Sequence, residues 1–318
     1  MVAYKEVFSD IFELFRYLHD QWGTVGLAHS GPQFEVMELS ENRAVACPMP
    51  MMPLYRGESS LHEPCKASLF RKKWTEWELV ERDIQIADFQ QMLEVHPEVK
   101  GMKGGNLYVN YTGMAQHYGI ETNVLDLTNS PLVAAFFATT TYNPLTDTYQ
   151  PVMHTVSLGV IYFLQNGGLF NSFIDEPVIL PIGMEALRRP GEQRGYGMET
   201  KEEDDLNKTK LGKMYKFWHN PQTSMEIWKR TAGGAGFFPY DPMAEKVRVM
   251  RKYRIYSEQG LYEAYLQHPN LGVSLDEAKR QLERDGCCFT RKLPFAYTDK
   301  EVKYIEDEHR RMYPGNYE

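Results

Sequence analysis

The chain of 318 residues lacks the sequence features of metal-binding, disulfide-stabilised and membrane-spanning proteins. Its four cysteines, Cys47, Cys65, Cys287 and Cys288, form no CxxC pair, and the last two are adjacent, which favours neither a zinc site nor a disulfide framework. The apolar runs at 131–138 and 160–164 are far shorter than the roughly 20 residues of a membrane span. We therefore expect no metal site, no membrane association and a reducing, cytoplasmic environment.

An excess of positive charge is also missing. The chain has 35 Lys and Arg against 43 Asp and Glu, a formal net charge of -8. General binding to nucleic acid or to anionic membranes depends on Lys and Arg neutralising phosphates, so neither is expected, although a local basic patch suffices for one anion. With 42% hydrophobic and 13% aromatic residues, the composition is that of a globular protein with a substantial core.

Hydrophobic spacing predicts an α+β protein with helices at both ends of the chain. It predicts helices over 4–22 and 74–95 and an amphipathic tail from 243, in which SLDEAKRQLERDG has a capping box from Ser274 to Glu277. HTVSLGVIYFLQNGG and EPVILPIG predict β segments, whereas HPEVKGMKGGNL, RRPGEQRGYG and TAGGAGFFPYDP predict turns or loops. The expected division is an N-terminal helical segment at 1–45, a main domain at 46–295 and a C-terminal helical tail at 296–318.

The centre of the chain sets polar groups against an apolar helix. VLDL at 124–127 predicts a buried strand, and TNSP predicts a helix start in which Ser130 caps and Pro131 is the first helical residue. The following LVAAFFA is apolar all round, so this helix should be buried. Asp126 beside it requires a partner, for which Arg56, Arg189 and backbone N–H groups are open candidates.

Two interpretations of the polar residues remain open at this point. Asp126 and Thr128 serve either as capping and turn residues or as part of a ligand site. Gln116, His117 and Tyr118 form either a hydrogen-bonded turn closed by Gly119 or part of the same site.

Three blocks of the sequence resemble the FRG domain family, named for its Phe-Arg-Gly motif. They are YRGESS, AQHYGIETNVLDLTNSPLVAAFFA and RRPGEQRGY, and the resemblance spans roughly residues 54–290. The chain departs from the family pattern at several positions: Tyr55 stands for Phe, Glu121 for Pro, Asn123 for Arg, Leu127 for Trp, and Ser130 is inserted before Pro131. The third block places the family's Arg and Gln-x-Gly-aromatic pattern at Arg189, Gln193, Gly195 and Tyr196.

The resemblance implies a mixed or antiparallel sheet core similar to that of ADP-ribosyltransferases, which split NAD at its nicotinamide bond. The binding residues that it implies for NAD as substrate are Arg56, Gly57, Gln116, Tyr118, Asp126, Thr128 and Arg189, with Arg56 gripping the pyrophosphate. Glu192, Gln193 and His117 are the implied catalytic residues, with Glu192 as the carboxylate that supports positive charge at the anomeric carbon. The macromolecule that would accept ADP-ribose is not indicated.

Two other functions remain open beside ADP-ribosyl transfer. One is a non-catalytic module that binds a nucleotide or a protein, and the other is an NAD glycohydrolase with water as the acceptor. Release of nicotinamide distinguishes either enzyme from the non-catalytic module. Labelling of a macromolecule with ADP-ribose distinguishes the ADP-ribosyltransferase from the NAD glycohydrolase.

Overall fold

A computed structural model describes residues 7–24, 26–27, 34–40, 43–49, 53–144, 146–165, 178–182 and 187–312. The helices in these ranges are α1 (Ile11–Trp22), α2 (Glu76–Glu94), α3 (Pro97–Gly104), α4 (Tyr111–His117), α5 (Pro131–Thr139), α6 (Arg188–Glu192), α7 (Pro221–Arg230), α8 (Pro242–Tyr253), α9 (Glu258–Gln267), α10 (Leu275–Arg284) and α11 (Asp299–Met312). The strands are β1 (Val7–Phe8), β2 (Phe34–Ser40), β3 (Arg43–Pro48), β4 (Leu54–Glu58), β5 (Val124–Thr128), β6 (Thr140–Asn143), β7 (Thr148–Pro151), β8 (Leu158–Leu164), β9 (Ile179–Pro181), β10 (Gly195–Glu199), β11 (Gly212–Trp218), β12 (Ile255–Ser257) and β13 (Cys288–Thr290).

The chain divides into two compact units. The first contains residues 1–37, 46–67 and 123–239, and the second contains residues 38–45, 68–122 and 240–318. None of the described helices is both long enough and apolar enough to cross a membrane.

Seven strands of the first unit form one mixed sheet in the order β1-β11-β8-β4-β5-β10-β9. The β1–β11 pair is parallel and the other neighbouring pairs are antiparallel. Tyr55 lies opposite both Phe163 and Thr128, and Arg56 lies opposite Tyr162. The α+β class and the mixed sheet agree with the expectation from the sequence.

Alternation along the strands separates the two faces of this sheet. Tyr55 and Phe163 belong to the hydrophobic core that also contains α1 and α5, and we call their side of the sheet the helix face. Thr128 lies directly opposite Tyr55 on the neighbouring strand, so its side chain also lies on the helix face. Successive residues of a strand point to opposite sides. Arg56 and its partner Tyr162 therefore point to the other side of the sheet, which we call the opposite face.

The buried helix predicted from the sequence is present as α5. Ser130 caps it by accepting a hydrogen bond from the N–H of Val133 at 3.4 Å, and Pro131 is its first residue. All its residues are buried except Phe137, which is half-buried. The expected cap, first residue and burial are therefore confirmed.

Gly57 is the residue that allows α5 to lie so close to β4. A Cβ atom at this position would lie 1.8 Å from the carbonyl oxygen of Ala134 and 2.9 Å from the nitrogen of Ala138. These are backbone atoms of a buried helix, so a side chain cannot displace them without moving the helix. The space beside Gly57 on the helix face is thus filled by α5, where the sequence analysis had placed a ligand.

The second unit is mainly helical. Its long helix α2 packs against α9, and Thr75 and Glu78 form a capping box at the start of α2. The buried carboxylate of Asp88 accepts hydrogen bonds from the backbone N–H and the hydroxyl of Ser257, which caps α9. The predicted helix at 274–286 is present as α10, with its capping box from Ser274 to Glu277.

Two segments predicted as loops are regular structure. Residues 97–104 form α3, because Pro97 suits the first helical position and His96 caps it by accepting from the N–H of Glu98 at 3.3 Å. Residues 188–192 form α6 and residues 195–197 begin β10, with only a turn at Gln193 and Arg194 between them. The prediction of a loop there was wrong because Gly197 fits a sheet position where the side chains of Val124 and Ile182 fill the space of its missing side chain.

Candidate functional site

The opposite face of the sheet carries a largely buried ion pair between Arg56 and Glu58. These residues stand two apart in β4, so both point to the same side. The Nε of Arg56 donates to Oε1 of Glu58 at 2.8 Å, and its Nη2 lies 2.5 Å from the same oxygen. The two side chains are only 11% and 13% exposed.

The charge of Arg56 is fixed by this environment. Burial acts to lower the pKa of Arg56, but the negative charge of Glu58, assisted by Cys65 and Asp126, raises it above its ordinary value. Nη1 of Arg56 also donates to the backbone oxygen of Asp126 at 2.7 Å. Its fork is therefore held by one carboxylate and one carbonyl, both from the protein.

A chain of polar contacts leads from this ion pair towards solvent. Nε2 of His62 lies 3.6 Å from Oε2 of Glu58, and the His62 side chain is 53% exposed. The amide of Asn207 donates to the backbone oxygen of His62 at 2.8 Å and accepts from the hydroxyl of Tyr162 at 2.7 Å. Burial raises the pKa of Tyr162, so its hydroxyl stays protonated and acts as a donor.

Asn207 also lines an open depression of about 460 Å³. The other lining residues of this depression are Glu63, Pro64, Lys66, Glu203, Asp205 and Lys208. Its lining therefore carries two lysines and three carboxylates, and Asn207 connects it to the polar contacts that end at Glu58.

Gln193 and Thr128 belong to the helix face. The hydroxyl of Thr128 donates to the backbone oxygen of Gln193 at 2.7 Å and accepts from the N–H of Ser130 at 3.0 Å. The side-chain amide of Gln193 donates to the backbone oxygen of Phe237, a core residue, at 3.1 Å. The sheet therefore separates the side chain of Gln193 from that of Arg56, which the sequence analysis had placed in one site.

Asp126 and Arg189 lie near Tyr149 on the helix face. Burial is the largest cause of the raised pKa of Tyr149; the charge of Asp126 raises this pKa further, and the charge of Arg189 lowers it. Both charges therefore lie near the Tyr149 hydroxyl. The guanidinium of Arg189 lies 5.7 Å from the ring centre of Phe238. Glu192, the carboxylate implied by the family resemblance, lies 3.6 Å from Arg188 in the same short helix.

Gln116, His117 and Tyr118 lie in the second unit, at the end of α4. The side-chain oxygen of Gln116 accepts from the hydroxyls of Ser68 at 2.9 Å and Thr122 at 2.8 Å. The hydroxyl of Tyr118 donates to Asp241. His117 is the half-buried last residue of α4.

The turn that follows α4 is closed by a glycine, as the sequence suggested. Gly119 has φ of +81°, a conformation that favours glycine. Arg251 donates to its backbone oxygen and also pairs with Glu121 at 3.2 Å. Both Gln116 and Tyr118 thus make hydrogen bonds that shape this turn and its surroundings.

Four residues of this site were not predicted from the sequence: Glu58, His62, Tyr162 and Asn207. Glu58 carries a signal that was available: an acidic residue two positions after Arg56 in an extended segment must share its face. Tyr162 and Asn207 have no such signal, because strand pairing and the fold of a distant loop bring them to the site.

Comparison with family models matches residues 52–146 to the FRG domain. The matched region includes β4 with Arg56, Gly57 and Glu58, and it continues through β5 and α5. Comparison with curated proteins and with solved structures found no match.

Proposed function

Because this chain carries an FRG domain, we propose that it binds NAD and cleaves the bond between nicotinamide and ribose, as an ADP-ribosyltransferase-like protein does. The observation that carries the proposal is the buried pair of Arg56 and Glu58. Burying two charges costs desolvation energy that their attraction often only offsets, so stability alone is a weak reason for such a pair. The Glu58 carboxylate is held in place beside the exposed side chain of His62, and a role in binding or catalysis explains this arrangement better than stability does.

In this proposal Arg56 is a positioning residue and Glu58 is the catalytic carboxylate. Arg56 fixes the direction of the Glu58 carboxylate through two contacts of its fork. When the glycosidic bond breaks, nicotinamide leaves with the bonding electron pair, and positive charge develops on the ribose ring. A preorganised carboxylate stabilises that charge. An acceptor hydroxyl or water then bonds to the anomeric carbon and loses its proton.

The proposal assigns the remaining contacts to residues around Glu58. His62 would hydrogen-bond a ribose hydroxyl, since its ring is exposed and adjoins the Glu58 carboxylate. Lys66 and Lys208, which line the depression, would contact the pyrophosphate. Glu58 replaces Glu192 as the proposed carboxylate because Glu192 faces Arg188 on α6, whereas Glu58 faces Arg56.

Two matched glutamate variants test the assignment. We expect Glu58→Gln to slow nicotinamide release from NAD by roughly 10²-fold or more, because a neutral amide does not stabilise the developing charge. Glu192→Gln should retain most of the wild-type rate. Thermal melts of both variants show whether each is folded. Equal rates for wild type and a folded Glu58→Gln would refute the role of Glu58, and a selective loss in Glu192→Gln would return the role to that residue.

A second candidate function is a nucleotide-binding or protein-binding module without catalysis. It is favoured by the occupation of the Arg56 fork by Glu58 and the Asp126 carbonyl, and by the position of Gln193 on the other face of the sheet. Such a module binds NAD or another ligand without releasing nicotinamide. If nicotinamide is released, transfer of labelled ADP-ribose to a macromolecule distinguishes a transferase from an NAD glycohydrolase.

A further inference from the structure

A second depression, of about 530 Å³, lies in the second unit where α3 and α11 pack together. Its volume falls in the range of small-molecule sites. Its lining combines an apolar part with a polar part, and it consists of Pro97, Glu98, Gly101, Met102, Leu107, Glu306, His309 and Arg310. None of the contacts described above for NAD involves these residues.

The polar part of the depression is built around a carboxylate and an imidazole. Oε2 of Glu98 lies 2.6 Å from Nδ1 of His309, and their side chains are 16% and 21% exposed. Burial, with a smaller contribution from Glu306, raises the pKa of Glu98 to about 7, and burial lowers the pKa of His309. Near neutral pH this partly buried pair therefore tends towards its uncharged form.

The charges next to this pair favour a positive ligand. Glu306 lies close enough to Glu98 to oppose its ionisation. Arg310, the cation of the lining, lies 3.1 Å from Asp307 and 3.7 Å from Glu306, so acidic groups of its own helix already balance it. A cation entering the depression would stabilise the ionised form of Glu98, whereas an anion would meet Glu98 and Glu306.

We propose that this depression binds a small organic cation that carries an amine or guanidinium head and a short apolar chain. The head would contact the carboxylates of Glu98 and Glu306, since ionised donors form strong hydrogen bonds with carboxylates. The apolar chain would lie against Met102 and Leu107. Among the described residues, no group of three or more His, Cys, Asp or Glu side chains is placed to hold a metal ion, so the chemistry favours an organic cation over a metal.

Calorimetry on the full chain tests the proposal with n-butylguanidine and n-butylamine as cations, and with butyramide and butyrate as neutral and anionic probes. We expect saturable binding of the cations, weaker binding of butyramide and no binding of butyrate. Binding of a cation should also release roughly half a proton at pH 7, because the pKa of Glu98 lies near that value and falls when the cation binds. Titrations in buffers of different ionisation enthalpy measure this release.

Variants locate the site. Glu98→Gln should weaken cation binding by about tenfold or more, whereas Glu283→Gln, a change of the same type on α10, should leave it unchanged. If Glu98→Gln fails to fold, the difference in binding between the cations and butyrate decides the question. The proposal is overturned if the cations do not bind at millimolar concentrations, if butyrate binds as well as they do, if no proton is released, or if Zn²⁺ binds in their place.

Discussion

Substitution of Gly57 by alanine gives the sharpest test of how β4 and α5 are joined. The new Cβ would lie 1.8 Å from the backbone oxygen of Ala134, whereas ordinary contacts of a Cβ atom begin near 3.4 Å. The helix would have to move away from the strand by about 1.5 Å. Because α5 is buried along its length, that movement would disturb its other contacts as well.

The expected cost exceeds that of an ordinary overpacked site. Extra methylene groups in a packed core typically cost about 1–3 kcal/mol, and here the clash is with backbone rather than a flexible side chain. We therefore expect Gly57→Ala to lower the free energy of unfolding by about 3 kcal/mol or more. For a chain of 318 residues the corresponding fall in melting temperature is roughly 4–5 °C, read from thermal denaturation followed by circular dichroism.

Gly101→Ala is the matched control. Gly101 lies in α3, and a Cβ there meets nothing within 4 Å. Since alanine favours a helix over glycine by about 0.5–1 kcal/mol, this variant should be as stable as the wild type or slightly more stable. A Gly57→Ala protein within about 1 kcal/mol of wild type would refute the packing role of this glycine. Loss of ligand binding without loss of stability would show instead that Gly57 leaves room for a ligand.

Three further predictions concern other parts of the fold. Ala135→Leu should lower the free energy of unfolding by about 1–3 kcal/mol through overpacking of α5, and an unchanged melting temperature would contradict its burial. Arg56→Met should lower the free energy of unfolding by about 3–5 kcal/mol because it leaves the Glu58 carboxylate without its partner. The double variant Arg56→Met with Glu58→Met should recover much of that free energy, as measured by chemical denaturation. Burial raises the pKa of Asp88 from 3.8 to about 6. The folded state therefore binds the proton of the Asp88 carboxyl more tightly than the unfolded state, and the stability gained from this proton is lost as pH rises from about 4 through 6. Asp88→Asn should remove this part of the pH dependence of stability, measured by melts at pH 4 and pH 7.

The sequence predicts the local elements of the first unit well where chemistry and spacing agree. The Ser130 cap, Pro131 and the apolar run that follows determine α5, because each favours a buried helix start. The residues of β8 were likewise evident from their β-branched and aromatic content. The position of each strand in the sheet could not be predicted, because β4 pairs with β8 and β5, which are distant in sequence, and local sequence does not encode such pairings.

The candidate site was harder to predict because it depends on faces of the sheet. Arg56 and Gln193 both belong to blocks of the family pattern, yet strand alternation and the Gln193 hydrogen bond to Phe237 place them on different faces. The segment at 188–197 was misleading because its glycines suggest a loop, although Gly195 and Gly197 lie in β10. The side chains of Val124 and Ile182, which fill the space beside Gly197, explain why glycine suits that strand.

Titration of the full chain with NAD, followed by calorimetry, tests the central proposal most directly. If the site around Arg56 and Glu58 binds this nucleotide, the wild type should show saturable binding to one site per chain. Lys208→Met, confirmed as folded by its melting curve, should bind NAD about tenfold more weakly, because it removes one of the two proposed pyrophosphate contacts. Absence of binding by the wild type at millimolar NAD, or equal binding by the folded Lys208→Met variant, would contradict the proposal.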